Sequence, residues 1–96
     1  MKIEFHVLAS DEIVEAAYWY ETQLEGLSDT FLAEMQNAVD AIAQNPDAWG
    51  RVNRNIRRKA FHKFPYELIY EVNDSKILIL AVAHQKMRPN YWADRL

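Results

Sequence analysis

The sequence predicts an α+β fold of order β-α-α-β-β-β. A helical hairpin is expected on one face of a four-stranded, mainly antiparallel sheet, followed by a short C-terminal helix. Three observations carry this reading. The N-terminus alternates with a period of two, two helical stripes follow with a single glycine-containing junction between them, and the second half holds three strand-like runs separated by short turns.

Each element has its own signal. From Lys2 to Leu8, Ile3, Phe5 and Val7 alternate with Lys2, Glu4 and His6, the pattern of a half-buried strand. Ser10-Asp11-Glu12 offers a capping hydroxyl and two carboxylates at the positive end of a helix. Ile13, Ala17, Tyr20 and Leu24 give that helix its apolar face, and Tyr18-Trp19-Tyr20 at helical spacing reads mostly as core. Gly26 is suited to a left-handed cap at its end. Ser28-Asp29 can begin the next helix, with a stripe of Phe31, Met35, Ala38, Val39 and Ile42, and Asn45-Pro46 stops it. So short a junction makes the pair an antiparallel hairpin.

Residues 47–55 lack a period and read as a loop. Ile56 to Phe61 reads as a short basic strand, His62-Lys63-Phe64-Pro65 as a turn, and Tyr66 to Val72 as a half-buried strand. Asn73 to Lys76 forms a hairpin loop. Ile77 to Ala83 is apolar at every position, which suits a strand with both faces covered. His84 to Arg95 completes the chain as a loop and short helix.

Composition bounds the function. Ninety-six residues suffice for one domain spanning 1–96. The chain has no cysteine, so it has no disulfide, no thiolate nucleophile and no cysteine-ligated metal. The longest apolar run, seven residues, is far short of the ~20 that a membrane span requires. Met1 to Phe5 shows no apolar region followed by small residues, so no signal peptide and a cytoplasmic location are expected. The histidines at 6, 62 and 84 have no ligand-like spacing, and no glycine-rich phosphate loop is present, so neither metal nor cofactor is expected.

The net charge of −3 conceals a divided chain. Residues 1–50 hold one cation against ten carboxylates, whereas residues 51–96 hold ten cations against four carboxylates. Two clusters concentrate that positive charge. Arg57-Arg58-Lys59 with Lys63 lies on a strand and its turn, where alternation sends Arg58 to one face and Arg57 with Lys59 to the other. Such residues guard an edge strand against aggregation, or pair phosphates and carboxylates. The second cluster, His84, Lys86, Arg88, Tyr91, Trp92 and Arg95, follows the apolar strand. Its aromatics can stack on a base or plug the core, and His84 can act as an acid or base or hold a loop through a backbone bond.

Together these residues resemble the RelE/ParE superfamily of toxins from type II toxin–antitoxin modules, over nearly the whole chain. The resemblance runs through Trp19-Tyr20-Glu21, Gly26-Leu27, Phe31 and Asn45-Pro46 in the hairpin. It continues through Ile56-Arg57-Arg58, Phe64-Pro65-Tyr66, Ile69-Tyr70, His84, Arg88-Pro89 and Tyr91-Trp92. It implies growth arrest by the free toxin and a cognate antitoxin as partner, with operator DNA contacted only through that antitoxin. RelE-like members are ribosome-dependent ribonucleases acting on mRNA. For that chemistry the candidates are Arg58, Lys63, His84, Lys86, Arg88 and Tyr91. ParE-like members instead poison DNA gyrase. Ribonuclease members typically carry an arginine after the tyrosine that opens the strand following the basic turn, and here the pair is Tyr66-Glu67. A carboxylate beside the phosphate opposes that chemistry, so the ParE-like reading is preferred. The RelE-like reading and a non-toxic member that retains only antitoxin binding stand as alternatives. For antitoxin or target binding the candidates are Arg57, Arg58, Lys59, Arg88, Trp92 and Arg95.

Overall fold

A computed structural model describes residues 1–96. The expected order is present: β1 (Lys2–Phe5), α1 (Val7–Gln23), α2 (Leu27–Gln44), then β2 (Gly50–Arg51), β3 (Ile56–Ala60), β4 (Tyr66–Val72) and β5 (Lys76–His84). The short C-terminal helix is a single 3-10 turn, Ala93–Arg95. One mixed sheet runs β1-β5-β4-β3-β2, with β1 parallel to β5 and every other pair antiparallel. The sheet has five strands where four were expected. The extra strand, β2, pairs Gly50 with Arg58 and Arg51 with Arg57 inside the segment read as a loop. Two residues are too few to show an alternation.

The helical hairpin differs from expectation at its ends. α1 begins at Val7, and its cap is His6, whose Nδ1 accepts a hydrogen bond from the Leu8 amide at 3.0 Å. Ser10 lies inside the helix and does not cap it. The reason is β5: the His6 amide still donates to the Ile79 carbonyl at 2.8 Å, so the chain turns from strand to helix with no intervening loop. α1 ends at Gln23, and Gly26, at φ +88°, makes the left-handed turn that admits α2. Glu21 fastens this turn. Its Oε2 accepts from the Gly26 amide and its Oε1 from the Ser28 amide, both at 3.0 Å, with the Ser28 hydroxyl adding a bond of 2.7 Å. α2 buries Phe31, Ala38, Val39 and Ile42 as its stripe requires, and Asn45 caps its end.

The sheet has an apolar layer on each face. Toward the helices, Leu68, Tyr70, Ile77, Ile79 and Val82 pack with Phe31 and Ile42. Phe31 is the hub of an aromatic group, with ring centroids of Tyr20, Phe61, Phe64 and Tyr66 at 5.2 to 5.5 Å. On the opposite face, called here the far face, Ile56, Ile69, Leu80, Ala81 and Ala83 pack beneath Trp92. A β-bulge accounts for the composition of β5. Ile69 pairs with Ala81 but Tyr70 pairs with Ile79, so Leu80 is an extra residue and joins Ala81 on the far face. Both faces of β5 are therefore covered, as its apolar run implies.

α1 departs furthest from its expected core. Its buried residues are Ala9 and Ala16, with Ile13, Ala17 and Tyr20 partly buried beside them. Tyr18, Trp19 and Leu24 were expected inside and are 74%, 59% and 63% exposed. Tyr20 alone of the three consecutive aromatics reaches the core. No helix is long and apolar enough to cross a membrane.

Candidate site on the far face of the sheet

The register of β3 and β4 sorts the basic residues. Opposed residues of an antiparallel pair project to the same side. Arg57 faces Tyr70 and Lys59 faces Leu68, on the helix side, whereas Arg58 faces Ile69 on the far side. This is the division the alternation predicts. On the helix side the two cations are engaged with Trp49. Arg57 Nη1 donates to the Trp49 carbonyl at 2.9 Å, and its Nε lies 3.9 Å from Asp47. Lys59 Nζ stands 4.4 Å above the centre of the Trp49 ring.

On the far side a cavity of about 200 Å³ lies between the sheet and the arm that follows β5. Arg58, Glu67 and Ile69 contribute from β3 and β4, Ala83 and His84 from β5, and Arg88 through Trp92 from the arm. The structure thus joins the two basic clusters that lie about thirty residues apart in sequence. The register of β4 also places Glu67 on the lining of the same cavity as Arg58 and Arg88. None of these three side chains belongs to an ion pair within the protein. Two open guanidiniums beside one open carboxylate make a net cationic recess with an apolar floor of Ile69, Ala83 and Trp92.

The arm is held from behind by Glu12, whose place in the sequence suggests only a carboxylate at the positive end of a helix. Glu12 points inward from α1, and its carboxylate accepts four hydrogen bonds. Oε1 takes the Val82 amide and Arg95 Nη1, both at 2.9 Å; Oε2 takes Arg95 Nη2 at 2.9 Å and the Tyr91 hydroxyl at 2.7 Å. Arg95 Nη1 also donates to the carbonyl of the bulged Leu80 at 3.0 Å. β1 ends at Phe5, opposite Ile79, so beyond that point the outer edge of β5 has no strand beside it. Glu12 and Arg95 supply the missing partners. Burial and the hydrogen bond to Glu12 push the Tyr91 phenol well above its usual range. The bond to Glu12 raises the Arg95 guanidinium further.

This arrangement fixes what each candidate residue is free to do. Arg58 and Arg88 are open to a ligand. His84 borders the cavity, but its Nδ1 accepts the Lys86 amide at 3.0 Å, so it holds the loop in the way a backbone-bonded histidine does. Its ring meets Tyr66 edge-on at 5.0 Å. Tyr91 lends its ring to the cavity while its hydroxyl is committed to Glu12. Trp92 is 5% exposed and plugs the far-face core, and Arg95 is committed to Glu12 and Leu80. Lys63 and Lys86 do not line the cavity. Among the six candidates for ribonuclease chemistry, Arg58, His84, Arg88 and Tyr91 are brought together. Among those for binding, Arg58, Arg88 and Trp92 are, while Arg57, Lys59 and Arg95 lie elsewhere.

Comparisons with known proteins address the chain as a whole. A family described as the ParE toxin of the type II toxin–antitoxin system parDE matches residues 3–89. Among solved structures, a chain of the chromosomal ParDE TA system from P. aeruginosa superposes with a TM-score of 0.61 at 19% identity, covering 88% of this chain and 95% of that one. No curated protein sequence matches.

Proposed function

The chain belongs to the ParE toxin family of type II toxin–antitoxin systems, and from that premise we propose that, free of its antitoxin in the cytoplasm, it arrests growth by inhibiting DNA gyrase. The observation that carries the reading is Glu67, which lines the far-face cavity together with Arg58 and Arg88. A ribonuclease site must gather cations around a phosphate and keep an acid and a base free to move protons. Here a carboxylate opposes the phosphate, the Tyr91 hydroxyl is bonded to Glu12, and His84 Nδ1 is bonded to the backbone. Such a surface favours binding over cleavage.

The cognate antitoxin silences the toxin by covering the same cavity. Its matching feature is a carboxylate for Arg58 and Arg88, carried on a segment whose apolar side chains reach the floor of Ile69 and Trp92. An antitoxin segment that folds as it binds fits this recess.

The test is a supercoiling assay with purified gyrase, the protein and increasing antitoxin. Inhibition or trapped cleaved DNA, reversed by antitoxin, is the expected result. In parallel, the protein is expressed in bacteria and the 5′ ends of the transcriptome are mapped. New mRNA ends phased with codons would replace this reading with the ribonuclease. Failure of the protein to act in both assays would leave a family member that binds antitoxin without toxicity.

A further inference from the structure

The outer face of α1 is apolar where a solvent-facing helix is normally polar. Val7, Val14 and Tyr18, spaced at i, i+7 and i+11, lie opposite the buried Ala9 and Ala16, and they are 68%, 68% and 74% exposed. Trp19 flanks them at 59%. A helix apolar on both sides is ordinarily enclosed on both sides, and exposed tyrosine and tryptophan are the residue types that anchor interfaces. The charges on and beside this face are Asp11, Glu15 and Glu21; Glu21 is bonded within the hairpin turn, and Asp11 and Glu15 are in no ion pair within the protein. No lysine or arginine occurs between residues 3 and 50, so neither helix carries a compensating cation.

We propose that the outer face of α1 is a second docking surface, built for a partner helix with one apolar stripe flanked by lysine or arginine. Charge complementarity selects this occupant. A second copy packed through the same face would set Asp11 and Glu15 against themselves, and an anionic lipid surface would be repelled by both. The apolar stripe supplies the contact area, and the two carboxylates fix the register of the incoming helix. Val7, Val14 and Tyr18 lie on the helix side of the sheet, away from Arg58 and Arg88, whereas Glu15 and Trp19 border a second cavity with Tyr66, His84, Met87 and Tyr91, next to the far-face cavity. The inference does not depend on the gyrase reading.

The test uses the full chain labelled with nitrogen-15 and two synthetic helical peptides that share one leucine stripe, flanked in one by lysine and in the other by glutamate. The expected result is selective shifts of the amides of residues 7–19 by the lysine peptide, with little response to the glutamate peptide. Tyr18→Asp should weaken binding by at least about tenfold. The double variant Asp11→Lys, Glu15→Lys should reverse the preference between the peptides. All these positions are exposed, so circular dichroism should be unchanged. Binding indifferent to the charge reversal, shifts centred elsewhere, or no binding of either peptide would overturn the proposal. So would a concentration-dependent dimer abolished by Tyr18→Asp, which would assign the face to a second copy.

Discussion

Glu12 and Arg95, eighty-three residues apart in sequence, form a two-pronged ion pair in which each carboxylate oxygen meets one guanidinium nitrogen at 2.9 Å. Both side chains are largely covered, at 19% and 10% exposure. In that setting the pair is stabilising because its remaining hydrogen-bonding positions are filled by the Val82 amide, the Tyr91 hydroxyl and the Leu80 carbonyl. Through it, one side chain of α1 fixes both the free edge of β5 and the arm that borders the candidate site.

The two halves of the pair are not equivalent, and their variants should differ. Arg95→Ala leaves Glu12 with two of its four donors, whereas Glu12→Ala leaves the Val82 amide and the Tyr91 hydroxyl without an acceptor and a covered guanidinium with only the Leu80 carbonyl. The expected losses of unfolding free energy are about 2 kcal/mol for Arg95→Ala and about 3–4 kcal/mol for Glu12→Ala. Urea unfolding of both variants and of the double variant measures this order and the coupling. Equal losses would mean that the backbone and phenol bonds to Glu12 contribute nothing.

A carboxylate governs the helical hairpin as well, and it should do so in a pH-dependent way. Glu21 is held below its ordinary value of 4.5 by bonds from the Gly26 amide and from the hydroxyl and amide of Ser28. Because the folded value is lowered, the contribution is complete well above 4.5 and is lost as pH falls through the folded value. Glu21→Gln mimics the protonated acid. The stability difference between wild type and Glu21→Gln should be constant near neutrality and shrink below pH 4.5. Thermal unfolding across that range reads it directly. A difference that persists undiminished in acid would remove Glu21 from the account of acid stability.

Gly26 is the other half of that turn. At φ +88° a β-carbon is strained even though nothing lies within 4 Å of where it would sit. Gly26→Ala should therefore cost about 1 kcal/mol through backbone conformation alone. A β-carbon at Gly50 would instead meet the Arg58 side chain at 3.5 Å, an ordinary packing contact, and Gly50 is not in the left-handed region. An unchanged midpoint in Gly26→Ala would mean that the turn relaxes out of the left-handed region.

These features divide by how far apart in sequence their causes lie. The α2 stripe, the Asn45-Pro46 stop and the sorting of Arg57, Arg58 and Lys59 are set by spacing along one element, so periodicity revealed them. Glu12 was legible only as an acidic residue near a helix start, because its partners at 82, 91 and 95 are brought to it by the sheet. The position of Glu67 required the register of β4, and the pairing of β2 required β3. The exposure of Tyr18 and Trp19 ran against the rule that aromatics are interior. Apolar spacing identifies a face that is covered without saying by what.

The adjacent arginines of β3 provide the clearest separation of folding from binding. Arg57 is 17% exposed at its side chain and donates to the Trp49 carbonyl, whereas Arg58 opens into the far-face cavity with no intramolecular ion pair. Arg57→Ala should lower stability by about 1–2 kcal/mol through the lost bond and packing, and leave the affinity of the folded protein for its antitoxin nearly unchanged. Arg58→Ala should change stability by less than about 0.5 kcal/mol, since it removes an exposed, unpaired side chain. If an antitoxin carboxylate sits between Arg58 and Arg88, Arg58→Ala should instead weaken the complex by about tenfold to a hundredfold, with a reduced dependence on salt. Glu67→Gln should tighten it by removing the like charge. Calorimetric titration with the antitoxin, paired with urea unfolding of each variant, separates the two effects. Equal affinity for Arg58→Ala and wild type would place the antitoxin's acidic contacts outside the far-face cavity.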